Sequence, residues 1–159
     1  MMKSIPVWKQ ELSDGVHAAR LASLYCCTPA ETASEAARYA AVLDGLEATF
    51  GPHAEAGLYS APGRTEIGGN HTDHQHGRVL AGSVNIDMIA AAGPNTLGQL
   101  RVQSEGYDLC VIDLNDLAAR KEEENTSAAI LRGECEAFRQ RGAKLSGLDV
   151  YISSNVPKG

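Results

Sequence analysis

The chain has 159 residues, of which 43% are hydrophobic and 21% charged, and its formal net charge is -6. This length and composition predict one folded domain and exclude extensive disorder. The acidic balance, without a basic stripe, excludes a nucleic-acid partner and an anionic membrane surface. No apolar segment is long enough to span a bilayer, and no leader or CxxC pair stands out, so we expect a cytoplasmic protein.

The first half of the chain predicts helices. An alanine-rich segment from Asp14 to Tyr25 favours a short helix within residues 1–28, which we interpret as an N-terminal extension. A longer helix is predicted from Pro29 to Gly51, where apolar residues recur at helical spacing and a Gly-Pro pair ends the pattern. Its apolar positions include Ala36, Tyr39, Leu43, Leu46 and Phe50.

The second half of the chain predicts a sheet. GLYSAPGRTEI (57–67) and VLAGSVNIDMIAAAG (79–93) favour two strands, and LRVQS (100–104) and LCVIDL (109–114) favour two more. A helix is predicted over residues 122–141, followed by the alternating strand LDVYISSNV (148–156). This order of elements predicts an α+β domain with a mixed sheet and helices on one side.

Residues 62–78, PGRTEIGGNHTDHQHGR, form a polar loop between two predicted strands. After Ile67 the sequence has no apolar residue until Val79, and the loop holds three of the chain's five histidines. Its glycines permit positive φ and close approach of the backbone to a ligand. A solvated surface loop rarely needs so many kinds of polar group, so we interpret residues 62–78 as a binding loop.

SAPGRTEIGGNHTDH (60–74) resembles the first signature of the GHMP kinases, and most closely its galactokinase form, SAPGRxNxIGEHTDY. The VLPxA-like strand that follows in those enzymes corresponds here to VLAGSVNID. SSNVPKG (153–159) resembles the lead-in to the family's phosphate loop. The resemblance covers the N-terminal portion of the family, residues 29–159 here. It implies a fold like domain 2 of ribosomal protein S5, incomplete in this chain.

The resemblance implies transfer of the γ-phosphoryl group of ATP, with Mg²⁺, to a hydroxyl of a small-molecule sugar. By this resemblance Arg64 is the catalytic arginine, which would stabilise developing negative charge. His71 and Asp73 match residues that hold the sugar. Glu66 and Asn70 replace the family's asparagine and glutamate, so we expect them to bind the sugar while leaving open whether it is galactose or a related sugar.

The family's phosphate loop and catalytic aspartate correspond to positions beyond Gly159. We therefore expect these 159 residues to be a truncated domain that binds no ATP tightly and cannot transfer phosphate alone. An uncovered core face or sheet edge would also let the chain self-associate.

Two alternatives stay open from the sequence. One is a non-catalytic sugar-binding or sensor module derived from the kinase fold. The other is a transition-metal site, since imidazole and carboxylate are suitable ligands. Its candidate ligands are His71, Asp73, His74 and His76.

Overall fold

The computed structural model describes residues 1–69 and 72–157. In this part of the chain the helices are α1 (Ile5–Ser13), α2 (Ala18–Tyr25), α3 (Ala33–Phe50) and α4 (Ser127–Gln140). The strands are β1 (Gly57–Gly68), β2 (Leu80–Pro94), β3 (Gln99–Ser104), β4 (Cys110–Asp113) and β5 (Leu148–Ser154). Short 3₁₀ turns occur at Pro29–Glu31, Asp73–Gln75 and Lys121–Glu123. None of the described helices is long and apolar enough to cross a membrane.

The five strands form one sheet in the order β1-β2-β5-β3-β4. Neighbouring strands are antiparallel except β3 and β5, which run parallel. A parallel pair needs a long crossover, and here the chain passes through β4 and α4 before it returns as β5. The predicted α+β class with a mixed sheet is therefore confirmed, and the last strand in the chain occupies the middle of the sheet.

The helices lie on both faces of the sheet. Helices α1 to α3 pack on the face that carries Ala91, which pairs with Tyr151 of β5. Helix α4 packs against Ile112, which pairs with Leu100, and Leu100 pairs with Leu148 of β5. Leu148 and Tyr151 are three positions apart on one strand, so their side chains point to opposite faces. The predicted placement of helices on one side of the sheet therefore holds for α1 to α3. Helix α4 differs, because it covers the opposite face beside β3 and β4.

The main core joins α1, α2 and α3 to the first two strands. Its fully buried large side chains stabilise the fold by about 1.5–3 kcal/mol each relative to exposure. They are Ile5, Val42, Leu43, Leu46 and Ile89. The division of the chain at residue 28 remains a prediction, although α1 and α2 contribute to this same core. Self-association through the edge strands β1 and β4 also remains a prediction.

Two predicted helix boundaries differ from the structure because of backbone conformation. Gly15 adopts φ of +71°, and the helix predicted from Asp14 begins only at Ala18. The helix predicted from residue 122 begins at Ser127, because Asn125 has φ of +64° and interrupts the turn before it. The Thr126 hydroxyl then accepts a hydrogen bond from the backbone N–H of residue 129 at 3.4 Å, which caps α4.

Asp149 is a buried carboxylate at the end of the sheet far from the polar loop, with 1% of its surface exposed. Arg101 donates to both of its oxygens at 2.6 Å, Asn95 donates at 2.6 Å, and the His53 ring lies 3.0 Å away. Burial alone would raise the pKa of Asp149, but the hydrogen bonds from Arg101, Asn95 and His53 hold it below its ordinary value. This cluster joins the loop before β1 to β3 and β5.

We expect Asp149→Ala to lower the free energy of unfolding by about 3 kcal/mol, because it leaves the buried partners of a charge network without their acceptor. Urea denaturation measures this change. Glu134→Ala is the control, since Glu134 is exposed on α4 and its loss should change stability by less than about 0.5 kcal/mol. Equal small losses in the two variants would contradict a stabilising role for the cluster.

The lowered pKa of Asp149 also predicts a pH dependence. Its contribution to stability is fully present above the unfolded pKa and is lost as pH falls through the lower folded pKa. Since the ordinary value is 3.8, the loss belongs below that pH. We expect the difference in urea midpoint between the wild type and Asp149→Asn to be large near about pH 6 and to shrink below about pH 4. A pH-independent difference would exclude this linkage.

Candidate functional site

The polar loop predicted over residues 62–78 lies at the outer end of the hairpin formed by β1 and β2, and its first part, residues 62–68, belongs to strand β1. The two strands pair from Gly57, opposite Ala92, to Gly68, opposite Leu80. The half of the hairpin near Gly57 packs against the helical layer, whereas β1 is exposed from Arg64 to its end. The sheet therefore supplies a packed base, and residues 74–79, which lead into β2, are exposed.

The pairing of the hairpin is interrupted at the Pro-Gly-Arg sequence. Pro62 pairs with Asp87, but Arg64 pairs with Ser83, so two steps along β1 correspond to four along β2. Gly63 is buried at this break, and a Cβ there would lie 3.1 Å from a Val84 methyl group. Irregular pairing of this kind bends a strand and re-aims the side chains that follow it. Arg64 is the first paired residue of β1 after the break.

Arg64 and Glu66 are two residues apart on β1, so their side chains leave the strand on the same side. Both residues are exposed. Their partners across the hairpin are Ser83 and Ala81, which are also exposed. The structure thus brings a permanent cation and a carboxylate to one side of the outer hairpin, while their roles remain predictions.

The loop backbone is organised around Thr72. Its carbonyl oxygen accepts hydrogen bonds from Gln75 N at 3.0 Å and Gly77 N at 2.8 Å. Its hydroxyl donates to the carbonyl oxygen of Gly69 at 2.8 Å. These bonds close the 3₁₀ turn Asp73–Gln75 against the end of β1. The sequence analysis gave Thr72 no role, although a hydroxyl residue beside an aspartate is a common turn signal.

The side chains of three predicted sugar ligands lie outside the part of the chain that the structure describes. Asn70 and His71 lie outside the described residues, and the structure describes only the backbone of Asp73. Two of the four candidate metal ligands, His71 and Asp73, are among these side chains. Within residues 1–69 and 72–157, no group of three His, Cys, Asp or Glu side chains is placed to hold a metal ion.

Asp87 is a buried residue near the site that the sequence analysis missed. It is 2% exposed, and its carboxylate accepts hydrogen bonds from Tyr25 at 2.6 Å, Ser60 at 2.5 Å and Arg38 at 3.0 Å. The signal was available in the sequence, because Asp87 is a lone acid within the apolar second strand. A charged residue there requires buried donors.

The groups around Asp87 respond to its charge. Burial raises the pKa of the Tyr25 hydroxyl, and hydrogen bonds with Asp87 and Tyr39 raise it further. Burial would lower the pKa of Arg38, but its hydrogen bonds to Glu35 and Asp87 raise it above the ordinary value. The carboxylate therefore meets a phenol held neutral and a guanidinium held charged, which is the pairing that stabilises a buried anion.

The segment after β5 returns to the base of this hairpin. The backbone N–H of Asn155 donates to the carbonyl oxygen of Asp87 at 3.0 Å. A Val156 methyl group would lie 3.3 Å from a Cβ at Gly63. The chain that leads out of the central strand thus passes beside the break that precedes Arg64.

The galactokinase galactose-binding signature matches residues 46–94. This span contains the end of α3 and the whole β1–β2 hairpin with its polar loop. The matched region therefore coincides with the site built above.

Curated relatives agree with this match. The chain is 34% identical to a galactokinase of Streptomyces coelicolor over 105 residues, which are 65% of this chain and 27% of that protein. It is 28% identical to a galactokinase of Lacticaseibacillus casei over 119 residues, which are 74% of this chain and 30% of that protein. The chain thus spans under a third of the length of these relatives.

Two solved structures share the fold. Galactokinase of Lactococcus lactis, solved in complex with galactose, superposes with a TM-score of 0.62 at 21% identity, over 72% of this chain and 30% of that chain. Mevalonate kinase of Methanococcus jannaschii gives a TM-score of 0.53 at 11% identity, over 68% and 35% of the two chains. The predicted resemblance to galactokinases and the predicted GHMP kinase fold are confirmed.

The adjacent glycines at the loop entrance give a matched pair of variants. Gly69 has φ of +113°, and a Cβ there would lie 2.5 Å from the carbonyl oxygen of Arg78, whereas a Cβ at Gly68 meets nothing within 4 Å. We expect Gly69→Ala to open the loop, at a cost of about 1–3 kcal/mol, and Gly68→Ala to leave it closed. Limited trypsin digestion after Arg78 should therefore be at least about fivefold faster in Gly69→Ala. Equal rates would contradict this loop geometry.

Proposed function

We propose that this chain, which carries the galactokinase galactose-binding signature, binds galactose or a related sugar through its polar loop. We further propose that the protein to which this region belongs phosphorylates a hydroxyl of that sugar with ATP. The observation that carries the proposal is the coincidence of the signature, residues 46–94, with a hairpin that projects a polar loop from a packed base. Galactokinases are also the relatives found across most of the chain.

Sugar recognition is assigned to Glu66, Asn70, His71 and Asp73. A carboxylate accepts hydrogen bonds from two neighbouring hydroxyl groups, and a neutral imidazole accepts one bond and donates another. An amide both donates and accepts, so Asn70 supplies a donor where galactokinases have an acceptor-only glutamate. This set satisfies several hydroxyl groups of one ring, and the exchange of a carboxylate for an amide changes which sugar it prefers.

Arg64 is assigned the catalytic role. Its guanidinium is always charged and carries several donors in a planar arrangement, which suits the oxygens of a phosphoryl group. Arg64 follows the buried break at Gly63 and shares one side of β1 with Glu66. In this role the arginine would stabilise negative charge that develops on the sugar oxygen and the transferred group, while the loop holds the sugar.

The path of the chain after β5 supports the proposed phosphoryl transfer. Asn155 and Val156 lie beside Asp87 and Gly63, so the segment that resembles the lead-in to a phosphate loop approaches the arginine. A phosphate loop that followed this segment would hold the phosphates of a nucleotide through its backbone N–H groups.

A non-catalytic sugar-binding module is the second candidate. The observation that favours it is Asn70, since the galactokinase signature has a glutamate at this position. The two functions differ in one respect only, because both bind the sugar and only the kinase consumes ATP. Sugar-dependent release of ADP by the product of the intact gene supports the kinase, and sugar binding without ADP release supports the module.

We expect isothermal titration calorimetry to detect binding of galactose or one of its stereoisomers to the chain. Asp73→Asn should weaken the affinity by about tenfold or more, because an amide cannot accept two hydroxyl donors as a carboxylate does. Arg64→Ala should retain most of the sugar affinity and should abolish ADP release in any protein that transfers phosphate.

The matched control is Asp108→Asn, since Asp108 is an exposed acid in the turn between β3 and β4. This variant should bind the sugar as the wild type does. If no hexose binds the wild type, or if Asp73→Asn and Asp108→Asn bind alike, the polar loop is not a sugar site. Binding of Zn²⁺ that depends on His74 and His76 would then favour the metal alternative.

A further inference from the structure

Asp87 connects the sugar-binding hairpin to the helical layer. Its carboxylate accepts from Tyr25 of α2, Arg38 of α3 and Ser60 of β1. Its main-chain oxygen accepts from Asn155 after β5. Four segments that are far apart in the sequence therefore meet at one buried residue.

The contact with Ser60 lies next to the place where the hairpin changes its pairing. Ser60 pairs with Ile89, and Pro62 pairs with Asp87 as the last regular pair before the break. The hydrogen bond from Ser60 to Asp87 therefore joins β1 to β2 diagonally across the hairpin, just before the break in pairing that follows Pro62. A one-residue slip at this point would turn every following side chain to the other face.

The position of the break determines where Arg64 and Glu66 lie. Beyond Pro62 no described residue of β1 belongs to the main core, and on β2 the Asn85 side chain donates to the carbonyl oxygen of Tyr25 at 3.4 Å. The register of the outer hairpin therefore depends on the last pairs before the break and on this contact. A Cβ at Gly63 would lie 3.1 Å from a Val84 methyl group and 3.3 Å from the carbonyl oxygen of Ile86, so a side chain at this position would press on the opposite strand. The contacts of Asp87, together with the Asn85 bond to Tyr25, thus connect the helical layer to the strands that carry the exposed charged groups.

We infer that Asp87 and Ser60 are positioning residues for the sugar site, although neither is assigned a contact with the sugar. They hold the break in the hairpin in one register and so set the direction in which Arg64 and Glu66 point. This inference rests on the proposed function, because its consequence is a change in sugar affinity. Asp149 gives the comparison, since it is also a buried, fully bonded carboxylate on the same sheet but lies at the far end.

The test compares Ser60→Ala, Ser60→Thr, Asp87→Asn and Asp149→Asn by calorimetric titration with the sugar that the wild type binds. All variants are titrated at a temperature at which circular dichroism shows them folded. Ser60→Ala should weaken the affinity by about three- to tenfold, and Ser60→Thr, which keeps the hydroxyl donor, should restore it. Asp149→Asn should lose stability without losing affinity. Hydrogen exchange of residues 64–68 should be faster in Ser60→Ala than in Asp149→Asn.

The outcomes distinguish a failure of the positioning role from a failure of the proposed function. If the wild type binds a sugar and Ser60→Ala binds it equally well, the positioning role is wrong while the proposed function stands. Equal losses of affinity in Ser60→Ala, Asp87→Asn and Asp149→Asn would reduce the effect to general destabilisation and would also overturn the inference. If the wild type binds no sugar, the proposed function fails and the inference fails with it. If Asp87→Asn does not fold, the comparison of Ser60→Ala with Ser60→Thr still tests the inference.

Discussion

Two buried carboxylates on one face of the sheet constrain the rest of the structure. A carboxylate removed from water is costly unless charged and neutral donors surround it, so each one dictates which segments must converge on it. Asp87 accepts hydrogen bonds from α2, α3, β1 and the segment after β5. Asp149 draws the loop before β1 together with β3. The sheet is therefore fixed at both ends by electrostatics and in the middle by apolar packing.

The hairpin divides into a part that is packed in the main core and a part that is exposed. Its base carries Ile89 and Ala91, which are fully buried in the main core. Its outer part carries exposed polar groups together with exposed apolar residues, which include Ile67 and Leu80. Binding groups are commonly placed on loops that a rigid scaffold supports, since ordered backbone limits the entropy lost when a ligand binds. The register break marks the boundary between the two parts.

The sequence predicted the elements well because their signals are local. Apolar spacing identified α3, and β-branched alternation identified β5 and the hairpin strands. The start of α4 was missed because Asn125 takes a left-handed conformation that no periodicity reports, and because Glu123 bonds Arg132 instead of starting the helix. The position of α4 on the second face was also missed, since sheet order and crossover path depend on contacts distant in sequence.

The polar loop was predictable from its composition and from its resemblance to the family signature, yet the buried residues near its base were not. Asp87 and Ser60 are single polar residues in strands, and only the pairing register shows that they meet at the base of the loop. A recognition motif identifies side chains that contact a ligand. The direction of those side chains depends on neighbouring residues that hold them through packing and hydrogen bonds. In this chain the motif and its support overlap, because Ser60 is the first residue of SAPGR and bonds to the strand opposite. The signature thus encodes both the charged groups and the contact that holds the hairpin in register.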